Sequence, residues 1–287
     1  EAYLGDARWY TDMMFNRRDA GELAVGPQKW IEPSNWKMSV DNCSDNYHGP
    51  VSHMSVGLVR ARSGRTITRA LGHKAMFETP SKHLFVNGHS ITVGVHDPND
   101  LQLRRFPKGL GRVPGNEAVF DAFYQSILPE EERRLGFLRA RKLSLGNHSL
   151  FPNTVLGFRL AFPRGPFRSE FWHFVLVEKD VPDEVRTAQI SGSGGNNGIN
   201  GLNEQDDQDN WIQVSQSALS TRGRKYLQDI SMGVGHATNA DPEFPGLVSE
   251  RYISENNQRN FYRRWQEFMN ADTWKDVPIK PITAEFE

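Results

Sequence analysis

The chain has 287 residues, 37% hydrophobic and 11% aromatic, enough to bury a sizeable core within one large domain. Lys plus Arg total 34 against 35 Asp plus Glu, so the net charge of −1 offers no footprint for nucleic acid or an anionic membrane surface. No run approaches the roughly 18 apolar residues of a membrane span and no secretory signal opens the chain, so a cytoplasmic protein is expected, while the single cysteine, Cys43, excludes an intramolecular disulfide and any cluster held by several thiolates.

Residues 7–16 carry Trp9, Tyr10, Met13 and Met14 at helical spacing and predict a covering helix. Residues 28–32 read as a strand that ends at Pro33, after which Ser34 or Asn35 can cap a helix leading toward His48 and His53. Five residues apart on a regular helix, those two imidazoles would point about 140° away from each other and could not share a metal. Gly49 and Pro50 lie between them, and proline removes a backbone donor and clashes with the preceding turn, so the helix should break there and let the rings converge. Asp45, three residues before His48, shares its face if the segment to Tyr47 is helical, and a carboxylate there would orient the ring. Spacing alone favours two ordinary histidines over a metal site.

Residues 58–79 are basic and mixed, without clear periodicity, and stay unassigned. Residues 83–86 and 90–95 are β-rich runs on either side of Asn87-Gly88, the dipeptide favoured in tight hairpin turns, and His83, His89 and His96 take structural places on that hairpin. Residues 116–127 and 129–141 predict two helices, the second with Pro129 in its first turn and three glutamates near its positive end. Residues 143–153, 155–162 and 171–177 predict an antiparallel meander that forms the main sheet. A helix over 181–190 is followed by a Ser/Gly/Asn-rich flexible loop over 191–198. Residues 203–211 form an acidic helix start that, taken alone, is a solvated face. Residues 250–271 end the fold as a long helix whose Phe261, Trp265, Phe268 and Met269 form an i, i+4, i+7, i+8 stripe that packs on the sheet.

The string Asn35-Trp36-Lys37, then Asp41-Asn42, then Asp45-x-Tyr47-His48, then His53 resembles the catalytic domain of Rieske non-haem iron ring-hydroxylating dioxygenase α-subunits of the naphthalene and biphenyl dioxygenase type. Phe261-Tyr262-Arg263-Arg264-Trp265 resembles the closing helix of that family, so the similarity runs almost end to end. The departures are Asp41, where the family commonly has Glu, and a segment before Asp45 that is one residue shorter than in the naphthalene enzymes. The resemblance implies an α+β, helix-grip (START-like) fold, with an antiparallel sheet wrapped around a long helix, covering helices and an apolar cavity. It also implies a mononuclear Fe(II) held by His48, His53 and Asp207, the second of two adjacent aspartates, with Asp206 and Asp209 in reserve. Asp45 would connect that iron to the electron donor, and Asn42, Asn147 and His148 become substrate-pocket candidates.

Two histidines and one carboxylate on a single face leave adjacent coordination positions open, as in oxygenases that bind dioxygen beside substrate. Zinc accepts the same ligands and would hydrolyse a bond, so the ligands alone do not choose; the resemblance chooses iron. Neither His48 nor His53 has a carboxylate two residues later, which disfavours the 2-oxoglutarate enzymes. The implied reaction adds both atoms of O2 to an aromatic hydrocarbon, giving a cis-dihydrodiol, with electrons from NADH through ferredoxin/reductase donors and a Rieske [2Fe-2S] cluster. One cysteine cannot hold that cluster. Residues 1–287 therefore read as a single catalytic domain, with the N-terminal Rieske domain absent from this chain. The resemblance also implies a small β-subunit and a trimer of α-subunits in an αβ hexamer. The alternative reading is a metal-free helix-grip binding domain for an apolar ligand.

Overall fold

Burial alternates along the central strands with the period of two that a pleated, half-covered sheet requires. In β7 (Ser169–Glu178), Phe171, His173, Val175 and Val177 are buried, while Glu170, Trp172, Phe174 and Leu176 between them are only partly so. In β6 (Phe158–Pro163), Arg159 and Ala161 take the buried side. A computed structural model of the chain describes residues 3–45, 47–62, 81–99, 117–235, 239–249 and 253–277. Among them, the strands form one nine-stranded antiparallel sheet of order β1-β7-β6-β5-β4-β3-β2-β9-β8. The remaining strands are β1 (Glu22–Glu32), β2 (Ser81–Val86), β3 (His89–Val95), β4 (Leu143–Leu150), β5 (Thr154–Val155), β8 (Asn239–Asp241) and β9 (Phe244–Ser249).

Eight α-helices accompany the sheet among the described residues, so the expected α+β class, an antiparallel sheet with covering helices, is what the chain adopts. The covering helix α1 (Ala7–Phe15) buries Tyr10 and Met13 in a core with Leu84, Ile91, Val93, Leu143, Phe244 and Val248. The last helix, α8 (Asn256–Met269), lies against β2 and β3 and brings Phe261 to Val40, Cys43, Phe151 and Val155. Between these come α2 (Trp36–Asn42), α3 (Gly49–Ser52), α4 (Met54–Arg62), α5 (Glu117–Phe137), α6 (Asp183–Asn197) and α7 (Leu202–Ser217). Helix α6 packs on β7, α7 on α6, and α2 on α7, which layers these three helices over the sheet.

Several elements differ from expectation for packing reasons. Residues 191–198 are not a flexible loop: α6 runs on to Asn197, with Gly192, Ser193 and Asn197 buried. Small residues there let the helix approach the sheet closely, and Ser193 Oγ reaches Nε2 of His173 at 3.4 Å. The two helices expected around Pro129 are one, α5, which passes through that proline and breaks instead at Gly136, where φ is 78°. Burial of Ile127 and Leu128 on one side and the Arg17–Glu131 ion pair, 2.6 Å, on the other hold the turn that lacks a donor. Residues 155–162 are not one strand, because Leu156 and Gly157 adopt positive φ of 43° and 80° and turn the chain between β5 and β6. The last helix begins at Asn256 rather than 250, and Met269 is exposed, so the apolar stripe ends at Phe268. Most of the unassigned stretch 58–79, Asn116 and the side chain of His83 lie outside the described residues.

Candidate metal centre

Asn35 caps α2, its side chain accepting from the backbone N–H of Lys37 at 3.1 Å, and the helix stops at Asn42. Cys43, Ser44, Asp45, Tyr47 and His48 are not helical, so Asp45 and His48 do not share a helix face. Asp45 works as a local cap instead: Oδ1 accepts from the backbone N–H of His48 at 3.0 Å and meets Nδ1 of the same residue at 2.8 Å. Nor does Pro50 kink an existing helix. It starts α3, which His53 closes before α4 begins. A loop, one turn of helix and a restart bring the two imidazoles together with ring centroids 5.4 Å apart.

The third member comes from α7. Asp207 Oδ1 lies 3.3 Å from Nε2 of His53 and 3.7 Å from Nε2 of His48. One potential ligand atom from each of His48, His53 and Asp207 falls within 4.8 Å of the other two, a set that can hold a metal ion. Asp207 is 4% exposed, and its Oδ1 has no hydrogen-bond partner. A buried carboxylate oxygen without a donor is costly, and a cation between the three groups would satisfy it. Burial, reinforced by Glu204 and opposed by His48, pushes the Asp207 carboxyl up to about 7 in the absence of a metal. At His48, burial disfavours the charged ring, but the hydrogen bond and charge of Asp45 outweigh it and the shift is upward.

Both imidazoles have their outward nitrogen engaged. Nδ1 of His48 faces Asp45, and Nδ1 of His53 lies 3.3 Å from Oδ2 of Asp206, which also accepts from Ser55 Oγ at 3.1 Å. With a carboxylate on each Nδ1, both Nε2 atoms are left to point inward as acceptors. Of the three neighbouring aspartates, then, Asp207 faces both rings, Asp206 sits behind one, and Asp209 is exposed. Asn42 Nδ2 comes within 3.4 Å of His48 Nε2, at the edge of the cluster. Asn147 reaches across from β4 to donate to the Asp45 carbonyl at 2.6 Å. His148 is buried and spends both ring nitrogens on backbone, on the Gly146 carbonyl at 2.8 Å and the Gly157 N–H at 2.6 Å.

Three side chains of α8 that sequence reasoning missed support this loop. Gln258 Nε2 donates to Oδ2 of Asp45 at 3.1 Å, Asn257 Nδ2 to the Ser44 carbonyl at 2.8 Å, and the Tyr262 hydroxyl to Oδ2 of Asp41 at 2.9 Å. The signal was present as Asn256-Asn257-Gln258, a run of amides that opens a helix otherwise read through its aromatic residues.

A model of the ring-hydroxylating α-subunit catalytic domain matches residues 1–271. The biphenyl dioxygenase α-subunit of Metapseudomonas furukawaii is 32% identical over 292 residues, a match that covers 98% of this chain and 60% of that protein. The benzene 1,2-dioxygenase α-subunit of Pseudomonas putida is 29% identical, with 96% and 60% covered. Among solved structures, naphthalene 1,2-dioxygenase with indole bound in its active site aligns with a TM-score of 0.78 at 26% identity, over 96% of this chain and 61% of that one. The chain thus spans about three fifths of the length of the relatives it matches.

Proposed function

Because this chain belongs to the ring-hydroxylating dioxygenase α-subunit family, as its catalytic domain, we propose that it holds one ferrous ion through His48, His53 and Asp207 and adds both atoms of dioxygen to an aromatic hydrocarbon, giving a cis-dihydrodiol. The observation that carries this reading is the buried Oδ1 of Asp207, without a hydrogen-bond partner and facing Nε2 of both histidines. That unpaired oxygen also speaks against the metal-free binding domain, which would gain nothing from it. When bound, a ferrous ion with two imidazoles and one carboxylate on one face offers open positions for dioxygen beside substrate.

The chain's own residues orient and insulate. Asp45 fixes the His48 tautomer through Nδ1 and is itself held by Gln258, so the ring and its carboxylate move as a unit. Asp206 does the same for His53. Asn42 and Asn147 stand at the edge of the cluster and behind the Asp45 loop, and we keep them as the pocket candidates. His148 has no ring nitrogen left for a polar substrate group and would contribute only its carbon edge.

Electron supply from NADH through ferredoxin and reductase to a Rieske cluster, with Asp45 facing the donor, is part of the same proposal. The single cysteine, buried Cys43, does not fit that cluster, so these 287 residues do not hold it. A small β-subunit, a trimer of α-subunits and a cytoplasmic location complete the proposal. No helix among the described residues is long and apolar enough to cross a membrane.

The test is iron content and single-turnover chemistry. The wild-type chain loaded with iron should retain about one equivalent, and His48→Ala should lose it. Hydrogen peroxide carries two oxygen atoms and the two electrons that dioxygen would otherwise need, so peroxide plus an aromatic hydrocarbon balances to the dihydrodiol. Anaerobic incubation of the iron-loaded chain with naphthalene and peroxide should give that product in an amount limited by iron. Equal iron in His48→Ala would sink the site assignment.

A further inference from the structure

Helix α7 presents Asp207 on a face buried at Glu204, Asp207, Trp211 and Ser215, the i, i+3, i+7, i+11 spacing of one helical side. Each turn of that face is fixed by different means. Trp211 stacks on Phe171 with centroids 5.7 Å apart, and Ser215 Oγ accepts from the backbone N–H of Asn35 at 2.9 Å. One turn before the ligand, Glu204 meets Arg159 at 2.6 Å, and neither side chain has any exposed surface.

Arg159 comes from β6, the third strand in from the β1 edge of the sheet. Its guanidinium lies 5.5 Å from the ring centroid of Trp30, and Nη2 donates to the carbonyl of Asn197, the last residue of α6. One arginine therefore ties the sheet to the end of one helix and the start of the next. As a stability device the pair is poor. A fully buried ion pair recovers its desolvation only when its remaining donors are met, yet Nε and Nη1 of Arg159 have no hydrogen-bond partner. Well-packed apolar residues in its place would serve the core equally well or better.

What apolar residues would not do is set the height and rotation of α7 on the sheet through one short ion pair, Nη2 of Arg159 to Oε2 of Glu204. Ligand constellations need placement to within about 0.5 Å, and Asp207 lies one turn from this contact. We propose that Arg159 is a positioning residue for Asp207, acting through Glu204 to hold the ligand helix in register with His48 and His53. This inference rests on the metal-centre reading above.

Cobalt(II) tests it without turnover, because its visible bands report ligand geometry as well as affinity. The apo chain is titrated with Co(II) as wild type, His48→Ala, Arg159→Lys and the double variant Arg159→Met/Glu204→Leu, and the melting temperature of each apo form is recorded. The double variant should melt at or above wild type while binding Co(II) about 10- to 100-fold more weakly, with shifted bands. Wild-type affinity and bands in the folded double variant would overturn the inference and leave the metal centre standing. Where the double variant does not fold, Arg159→Lys decides: it keeps the buried charge and loses the Nη2 atom that reaches both Glu204 and Asn197, so about tenfold weaker binding supports the inference and wild-type binding overturns it. A wild-type chain that binds no Co(II), or a His48→Ala chain that binds it equally well, removes the metal-centre reading and this inference with it.

Discussion

Asp206 and His53 face each other across 3.3 Å, while Asp207, the next residue on the same helix, faces the other nitrogen of that ring. Asp206→Ala should therefore free the His53 tautomer and lower iron affinity about tenfold, the low end of what outer-sphere partners contribute. Asp209→Ala, at an exposed position three residues on from Asp206, should leave affinity unchanged. Iron retained after dialysis against graded chelator separates the two outcomes; equal losses, or none, would contradict the arrangement.

Gln258→Leu should destabilise the fold by about 1–3 kcal/mol, because it leaves Oδ2 of buried Asp45 without its donor. Urea unfolding of the apo chain measures this. The Asp45–His48 contact uses the other oxygen, so iron content should hardly change.

His89 should make the protein sensitive to mild acid. It is fully buried, Nε2 lies 3.0 Å from the Tyr3 carbonyl, and Nδ1 accepts the Phe151 N–H at 3.0 Å. Burial, partly offset by the Tyr3 carbonyl, holds its pKa down from 6.5 to about 4. The unfolded chain takes up a proton near 6.5 that the folded chain refuses, so the contribution is complete above that pH and is lost as pH falls toward 4. At about 1.4 kcal/mol per pKa unit this is roughly 3 kcal/mol. His173, held down to about 3 by burial and then by Arg159, acts in the same direction. His89→Gln should flatten the urea-stability profile between pH 6.5 and 4 relative to wild type; parallel profiles would refute the assignment.

Gly88→Ala should cost about 1–3 kcal/mol. Its φ is +85°, and a Cβ there would sit 2.6 and 2.7 Å from the Cγ and Cβ of Arg264. Gly157→Ala, with φ +80° but nothing within 4 Å, should cost only the backbone share, about 1 kcal/mol. Chemical denaturation of the pair separates strain from collision.

Local signals made much of the fold legible. Asn87-Gly88 marks its hairpin because the turn needs the positive φ that both residues adopt, and the β7 core alternates cleanly. What escaped was decided at a distance. The small residues of 191–198 look flexible as a string, but against β7 their lack of bulk is what allows close packing. Strand β8 has three residues and β9 is interrupted by Pro245 and Gly246, so neither shows a clean apolar run. At the site, Asp45 meets His48 by capping a loop rather than by sharing a helix face. Arg159 offered only a charged residue in an apolar strand, and its partner became visible when α7 was laid over the sheet.

The clamp on the Asp45 loop has a consequence in time. Asn257 and Gln258 reach residues 213 positions earlier and Tyr262 one 221 earlier, so the loop emerges from the ribosome long before anything that braces it. Contacts of that span form late, after the loop-closure entropy of most of the chain has been met. A nascent chain that has not yet released α8 carries His48 on a loop without these three braces. A ribosome stalled before residue 256 leaves a polypeptide in which both histidines are present and the braces on their loop are not.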